Sequence, residues 1–431
     1  MLKRSLCAWI TALVLPLAPL AAKAELVIDI IGGAESAIPV AVAPFKWEGD
    51  GSPPEDVARI ISDNLVRTGQ FQSLPRSEFL ETPSQQSEVR FANWRALGVD
   101  NLIVGEVQPD GDRFRVRYEL LDVFGGSRME GKSFAVPRDA MRTVSHVISD
   151  EIYEALLGRP GAFNTRIAYV AMQDRRNGDR EWRLVIADAD GYYPESILSS
   201  SQPIMSPAWS PGGDRLAYVS FENRRSEIYI QEIGSGERER VASFEGINSA
   251  PAWSPDGRRL ALTLSRGSQT DIYVLELDSG DLRRVTDHWA IDTEATWMPD
   301  GRSLLFTSDR GGNPQIYRVN VDNRNVQRVT FEGNYNASPT LSPDGRRVAM
   351  VHRTDRGYGI AVQELGENGR FRVLTRGSQD ESPSFAPNGA MVLYATRADG
   401  RAVLGTASLY GEARQILSTD GERIREPAWS P

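Results

Sequence analysis

A five-residue motif returns six times along this chain at an unvarying interval, and that interval limits the possible folds more than any other feature. Pro-Ala-Trp-Ser-Pro stands at 207–211, 251–255 and 427–431, with Ala-Thr-Trp-Met-Pro at 295–299, Pro-Thr-Leu-Ser-Pro at 339–343 and Pro-Ser-Phe-Ala-Pro at 383–387. The closing prolines at 211, 255, 299, 343, 387 and 431 are each 44 residues apart. Within one unit the pattern is that of strands. Residues 250–253 read as a short strand, and Ser254-Pro255-Asp256-Gly257 as a turn in which proline presets φ and glycine accepts a positive φ. A second strand covers 260–264. A third covers 271–277, where Ile272, Val274 and Glu276 alternate with Tyr273, Leu275 and Leu277, and a fourth covers 282–285. Four short strands in a repeat of this length predict a propeller blade, whereas a helical solenoid would lack the alternation.

The blade count follows from the mismatched ends. The first unit begins near 164 without a Trp-Ser-Pro strand in front of it, and residues 426–431 are that strand with nothing behind it. Joined, they predict a sixth blade built from both ends of the repeat region, a closure that leaves no open sheet edge. Residues 38–158 have a different character. A helix is expected to start at Ser52-Pro53-Pro54, to bury Val57, Ile60, Ile61 and Leu65 on one face and to end at Gly69. A short helix is expected at 91–97, a buried strand at 102–107 and a half-exposed strand at 113–120. A longer helix at 138–157 carries Val144, Val147, Ile148, Ile152 and Leu156. The predicted fold class is therefore an α/β N-terminal domain at 38–158, a linker at 159–163 and an all-β six-bladed β-propeller at 164–431.

The first 24 residues read as a signal peptide. Lys3 and Arg4 precede an apolar run that Pro16 and Pro19 break short of membrane-spanning length, and Ala22-Lys23-Ala24 supplies a cleavage site before Glu25. Residues 25–37, with Gly32-Gly33, read as a flexible N-terminal arm. The sole cysteine, Cys7, lies in the leader, so the exported chain has no thiol for a disulfide, a metal or a nucleophile. A soluble periplasmic protein without membrane insertion, and a monomer on its own, is the expectation.

Charge and motifs narrow the function further. The net charge of −9 becomes more negative once Lys3, Arg4 and Lys23 are removed, which disfavours nucleic acid as a partner. No serine sits in a nucleophile elbow and no phosphate-cradling loop is present. His146, His288 and His352 are far apart in sequence. Asp188-Ala189-Asp190-Gly191 resembles part of a calcium loop, but the later glutamate is missing and a strand turn is expected there. Neither a catalytic centre nor a cofactor nor a metal site is expected. Trp209, Trp253, Trp297 and Trp429 hold one strand position in their blades, as core residues do. What varies is the loop leading into each innermost strand, which ends at the mouth of the central channel. Those ends are polar and largely acidic. A partner-binding ring of Ser249, Ala250, Asp292, Thr293, Glu294, Asn336, Asp380 and Glu381 is expected there, since variable loops on a rigid scaffold carry recognition.

A leader, an arm, a mixed α/β domain and a six-bladed propeller ending in Pro-Ala-Trp-Ser-Pro together resemble the TolB family of the bacterial Tol-Pal system. Specific segments are Ile-Pro-Val-Ala-Val-Ala-Pro-Phe at 38–45, Asp-Thr-Glu-Ala-Thr-Trp at 292–297 and Phe-Thr-Ser-Asp at 306–309. The blade motif alone is shared with propeller-bearing peptidases. The resemblance implies a periplasmic scaffold that binds the lipoprotein Pal at the propeller channel and TolA through its N-terminal arm and domain. It also implies a role in outer-membrane integrity and in outer-membrane invagination during cell division. Ala250, Thr293 and Glu294 fall on the family's Pal-facing loops, and where some relatives carry histidine three residues before Ala250 this chain has Ile247. From the residues alone a stand-alone sugar- or peptide-binding propeller, or a non-catalytic relative of propeller peptidases, stays open.

Overall fold

A computed structural model describes residues 27–30, 37–175, 178–366, 369–411, 413–417 and 422–431. The expected leader at 1–24 and the expected N-terminus Glu25 lie outside them. Strand β1 spans Val27–Ile30, and the first domain then runs β2 (Ile38–Val42), β3 (Lys46–Trp47), helix α1 (Val57–Arg67), β4 (Phe71–Ser73), α2 (Phe91–Ala96), β5 (Asn101–Asp110), β6 (Arg113–Asp122), β7 (Ser127–Pro137) and α3 (Met141–Leu157). Its sheet has the order β4-β2-β5-β6-β7, with β3 paired to β5. β2 runs parallel to β4 and β5, while β5, β6 and β7 are antiparallel.

α1 begins later than the prolines at 53 and 54 suggest. Asp56 is its cap, accepting a hydrogen bond from the Arg59 N–H at 3.0 Å, because a side-chain acceptor satisfies one of the N–H donors that a helix's first turn leaves open. α3 ends at Gly158, which takes the left-handed conformation at φ 67°. One face of the sheet buries Ile61 and Leu65 of α1 with Val144, Ile148 and Ile152 of α3 against Val40, Ile103 and Val116. The other face packs Trp94 of α2 on Ala41, Leu102 and Val104, and the Trp94 indole N–H donates to Glu81 at 2.9 Å.

The propeller has six blades. Blade two holds Ile204–Trp209, Arg215–Ser220, Glu227–Glu232 and Arg238–Ala242, and blades three to six begin with Asn248–Trp253, Asp292–Trp297, Asn336–Leu341 and Glu381–Phe385. Blade one takes Arg166–Asp174, Arg180–Asp188 and Glu195–Ser200 from one end and its innermost strand Arg423–Trp429 from the other. Ser430 N–H donates to the Arg166 carbonyl at 2.8 Å, and the Trp429 indole to Thr165 Oγ1 at 2.8 Å, which closes the ring. β1 adds a fifth, antiparallel strand outside Ala413–Leu417 of blade six. The segment expected as a flexible arm thus carries a paired strand, since an unoccupied sheet edge offers its backbone a ladder of partners.

The repeated tryptophans bolt blade to blade. The indole N–H of Trp209 donates to the Ala428 carbonyl at 3.1 Å, that of Trp253 to Ala208 at 3.0 Å, and that of Trp297 to Ala252 at 3.1 Å. Arg166, Arg215 and Arg259 lie over the rings of Trp209, Trp253 and Trp297 at 5.2, 4.7 and 4.6 Å. Each ring is buried, its one polar atom is satisfied and its face is covered by a cation, so the position is structural in every blade that has it.

Candidate protein-binding site at the propeller mouth

The ring has two unlike faces. One carries the Ser-Pro-Asp-Gly turns and the hairpins between third and fourth strands, and there the first domain docks. Arg67 Nη1 donates to the Ala189 carbonyl at 3.2 Å, Ser408 Oγ to the Thr68 carbonyl, and Asn388 Nδ2 to the Pro160 carbonyl at 3.2 Å. Arg159 stacks on Tyr410 at 4.0 Å. The opposite face carries the connections from each outer strand to the next inner strand, and the first domain leaves it uncovered.

Every inner strand starts at that open face with the same distortion. Ser206, Ala250, Glu294, Ser338, Ser382 and Glu426 all have left-handed backbones, with φ between 47° and 55°, and each sits where strand register shifts. A non-glycine residue at positive φ is uncommon and costs of order 1–3 kcal/mol when strained, so six at one repeat position mark a built feature. Such bulges re-aim side chains at a rim.

Two residues earlier the chain places Asn248, Asp292, Asn336 and Asp380, and all four side chains are buried. Asn248 Oδ1 accepts from the Phe244 N–H at 3.0 Å and Asp292 pairs with Arg310 at 2.7 Å. Asn336 Nδ2 donates to Gln315 at 2.9 Å and to the Glu332 carbonyl at 2.8 Å. Asp380 accepts from the Gly377 N–H at 3.1 Å and from Thr396. Asp292, Asn336 and Asp380, expected to meet a partner, thus have their polar groups engaged within the chain and not presented at the rim. The polar groups of all four are turned inward, those of Asn248, Asn336 and Asp380 onto backbone groups of the connecting loops and that of Asp292 onto Arg310.

The remaining expected residues stay at the rim. Ser249, Ala250, Thr293 and Glu294 are half-buried and Glu381 is exposed. Glu294 crosses to the next blade, where its carboxylate accepts from Ser338 N–H at 3.1 Å and Ser338 Oγ at 2.8 Å, and within its own blade it accepts from Thr307 Oγ1 at 3.1 Å. Glu426 makes the same crossing to Ser206. Burial pushes the Glu426 carboxyl above its usual range, and the charge of Glu381 adds to that.

Sequence reasoning missed the apolar part of the rim. Trp289 is 74 % exposed, Phe331 70 %, Ile247 56 % and Ile291 55 %, all in the connections entering blades three to five. Tyr358, also exposed, packs edge-on against Tyr335 at 5.1 Å beside them. Apart from Met205, also at the mouth, the propeller's other exposed large apolar residues among the described ones are Tyr193 and Tyr410, whose rings meet Arg142 and Arg159 of the first domain's side. A tryptophan outside the repeated Trp position, in loops otherwise polar, was the available signal.

A second cluster lies where the domains meet. His146 of α3 brings Nε2 to 3.5 Å from Asp190 and 3.9 Å from Asp188, so a histidine with no ligand-spaced neighbour in sequence meets both aspartates of the Asp-Ala-Asp-Gly turn. Asn64 Nδ2 reaches His146 Nδ1 at 2.9 Å. Arg142 pairs with Asp190 and lies over Tyr192 at 3.8 Å, and Arg67 binds the carbonyl between the two aspartates. Two guanidiniums already supply the counter-charge, which opposes a divalent cation at this place. Burial pulls His146 down to about 4 and, with the charge of Asp190, pushes Asp188 up to about 6.

No helix among the described residues is long and apolar enough to cross a membrane. Residues 153–431 match the family described as the TolB beta propeller domain, and 26–129 match the TolB amino-terminal domain. The chain is 54 % identical over 231 residues to the Tol-Pal system protein TolB of Alkalilimnicola ehrlichii, covering 53 % of this chain and 54 % of that one. It is 51 % identical over 235 residues to that of Thioalkalivibrio sulfidiphilus, covering 54 % of each. The matched stretch thus spans about half the length of these curated relatives. The crystal structure of TolB from Acinetobacter baumannii superposes with a TM-score of 0.86 at 40 % identity, covering 94 % of this chain and 100 % of that one.

Proposed function

This chain belongs to the TolB family, and we propose that it is the periplasmic, non-enzymatic scaffold of a Tol-Pal system, binding the lipoprotein Pal at its open propeller mouth. One observation carries the reading: apart from Tyr193 and Tyr410, the large apolar side chains that the propeller leaves in solvent among the described residues gather at the mouth opposite the first domain. An exposed apolar patch rimmed by polar residues favours a protein partner over a small ligand, and Trp289 and Phe331 are of the type that dominates binding once desolvated. The hydroxyls and carboxylates of the rim support a binding role too, since Glu294, Glu426, Thr307 and Ser338 hold one blade to the next instead of forming a nucleophile and its base. TolA is the proposed partner of the N-terminal arm and domain, and outer-membrane integrity and invagination at division are the proposed cellular roles.

Titration of the purified chain with soluble Pal tests this. Joint replacement Trp289→Ala and Phe331→Ala should weaken binding at least tenfold, about 1.4 kcal/mol. The fold should be spared, because exposed substitutions move stability by about 0.5 kcal/mol or less. TolA should bind only while residues 25–37 are present. Unchanged Pal affinity in the double variant would place the site elsewhere, and failure to bind Pal at all would reject the reading.

A further inference from the structure

The open face is divided by charge as well as by polarity. Blades three to five bring the apolar side chains, and the sector that follows them, from blade five through blade six to blade one, brings arginines. Arg353 and Arg356 stand at the hairpin between the second and third strands of blade five, and Arg397 and Arg401 at the corresponding hairpin of blade six. Arg376 lies on the connection between those blades, and Arg425 at the start of the innermost strand of blade one. All six are exposed, and among the described residues none makes an ion pair or a side-chain hydrogen bond. Among the described residues the exposed acids beside them are Asp355, Asp399 and Glu381, and the blade-one hairpin adds Asp174 and Asp179 together with the exposed Arg175 and Arg180. A positive sector of this kind is unexpected on a chain of net charge −9. Several arginines of blades two to four are paired instead: Arg225 and Arg240 with Glu227, Arg284 with Asp271, and Arg310 with Asp292.

The two sectors touch. Tyr358, beside Arg356, packs against Tyr335 on the apolar side. Its N–H donates to the Ser378 carbonyl at 3.2 Å and its carbonyl accepts from the Asp380 N–H at 3.0 Å, which ties the blade-five hairpin to the connection carrying Arg376. A partner seated on Trp289 and Phe331 therefore has the arginines along its flank.

We propose that this arginine sector is an electrostatic docking surface for an acidic flank of the protein partner that occupies the mouth. The proposal rests on the Pal-binding reading above. Guanidinium groups without internal partners present planar forks that match carboxylates, and a field of one sign steers an oppositely charged protein to its site. Contacts of this sort set the encounter rate and the orientation of the bound partner, while the desolvated aromatics set how long it stays.

The test is association kinetics between the full chain and soluble Pal at several ionic strengths. The variant carries Arg353→Ser, Arg356→Ser, Arg397→Ser and Arg401→Ser together, all at exposed positions, with its melting temperature measured alongside. The association rate should fall ~10-fold at low salt and lose most of its salt dependence, with dissociation changed less than about twofold. The Trp289→Ala, Phe331→Ala variant should show the converse, faster dissociation with association nearly intact. An association rate and salt slope unchanged by the four substitutions would overturn the docking surface while leaving Pal binding in place. Sedimentation with phosphatidylglycerol vesicles separates another source of negative charge: vesicle binding that the four substitutions abolish, with Pal association untouched, would also overturn it. Absence of any Pal binding by the unaltered chain would overturn both readings together.

Discussion

Glu294 is held at φ 55° with its carboxylate in two hydrogen bonds to Ser338 of the neighbouring blade and one to Thr307 of its own, so it is a clasp as much as a surface residue. Read as an exposed loop residue it should tolerate replacement by lysine without cost. With these partners, Glu294→Lys removes the acceptor for the Ser338 and Thr307 hydroxyls and one of the two acceptors of the Ser338 N–H, and sets an ammonium group against donors. We expect a loss of about 1–3 kcal/mol in propeller stability, measurable as a lower midpoint in urea. Glu294→Gln, which keeps one acceptor oxygen, should cost less than the lysine variant. Equal midpoints for Glu294→Lys and the unaltered chain would show that the clasp contributes nothing. It follows that weaker partner binding in Glu294→Lys would not by itself locate a contact, whereas Trp289 and Phe331, free of such duties, can report on one.

At the scale of elements, α3 and the hairpin after Arg180–Asp188 share a cluster whose two titrating groups act in opposite senses. His146 is held near 4, below its usual 6.5, so the folded chain binds fewer protons there and loses stability as pH falls from 6.5 towards 4. Asp188 is held near 6, above its usual 3.8, so it contributes stability that is present at low pH and lost as pH rises through 6. Over about pH 4–6 the two terms offset each other. Relative to the unaltered chain, Asp188→Asn should become less stable with acidification, because only the His146 term remains. His146→Gln should become more stable over the same range. Melting temperatures of the three proteins from pH 4 to 7 check the signs, and parallel curves would show that the pair is not coupled to folding. Arg142 pairs with Asp190 of the same cluster, and Arg67 donates to the Ala189 carbonyl between the two aspartates.

For the whole molecule, closure is the decisive event. Removal of residues 426–431 takes away the buried Trp429, the acceptor carbonyl for Trp209 and the bonds of Ser430 to Arg166. Loss of a large buried aromatic costs about 3–5 kcal/mol, and each lost hydrogen bond about 1 more. Typical domains hold about 5–15 kcal/mol in all. The truncated chain should therefore melt far below the full one, by calorimetry, and an unshifted propeller transition would mean that the ring closes by other contacts. The same six residues carry Glu426, so truncation also opens the clasp to Ser206.

Blade number, strand count, ring closure and the core tryptophans were legible because each depends on a local pattern repeated 44 residues apart: alternation, a proline-glycine turn, one aromatic at one position. β7 was not legible. Ser127–Pro137 is a largely exposed edge strand, and exposure removes the alternation that would announce it. Polar loop ends were read as a contact ring because sequence shows that Asp292 and Asn336 are polar but not which way they point. Their direction is set by Arg310 and Gln315, brought to them by strand pairing. The meeting of His146 with Asp188 and Asp190, and the division of the open face into apolar and arginine sectors, come from blades and domains placed side by side. Periodicity is a property of the backbone that any short stretch displays, whereas the neighbours of a side chain across a ring or a domain junction exist only once the chain has closed on itself.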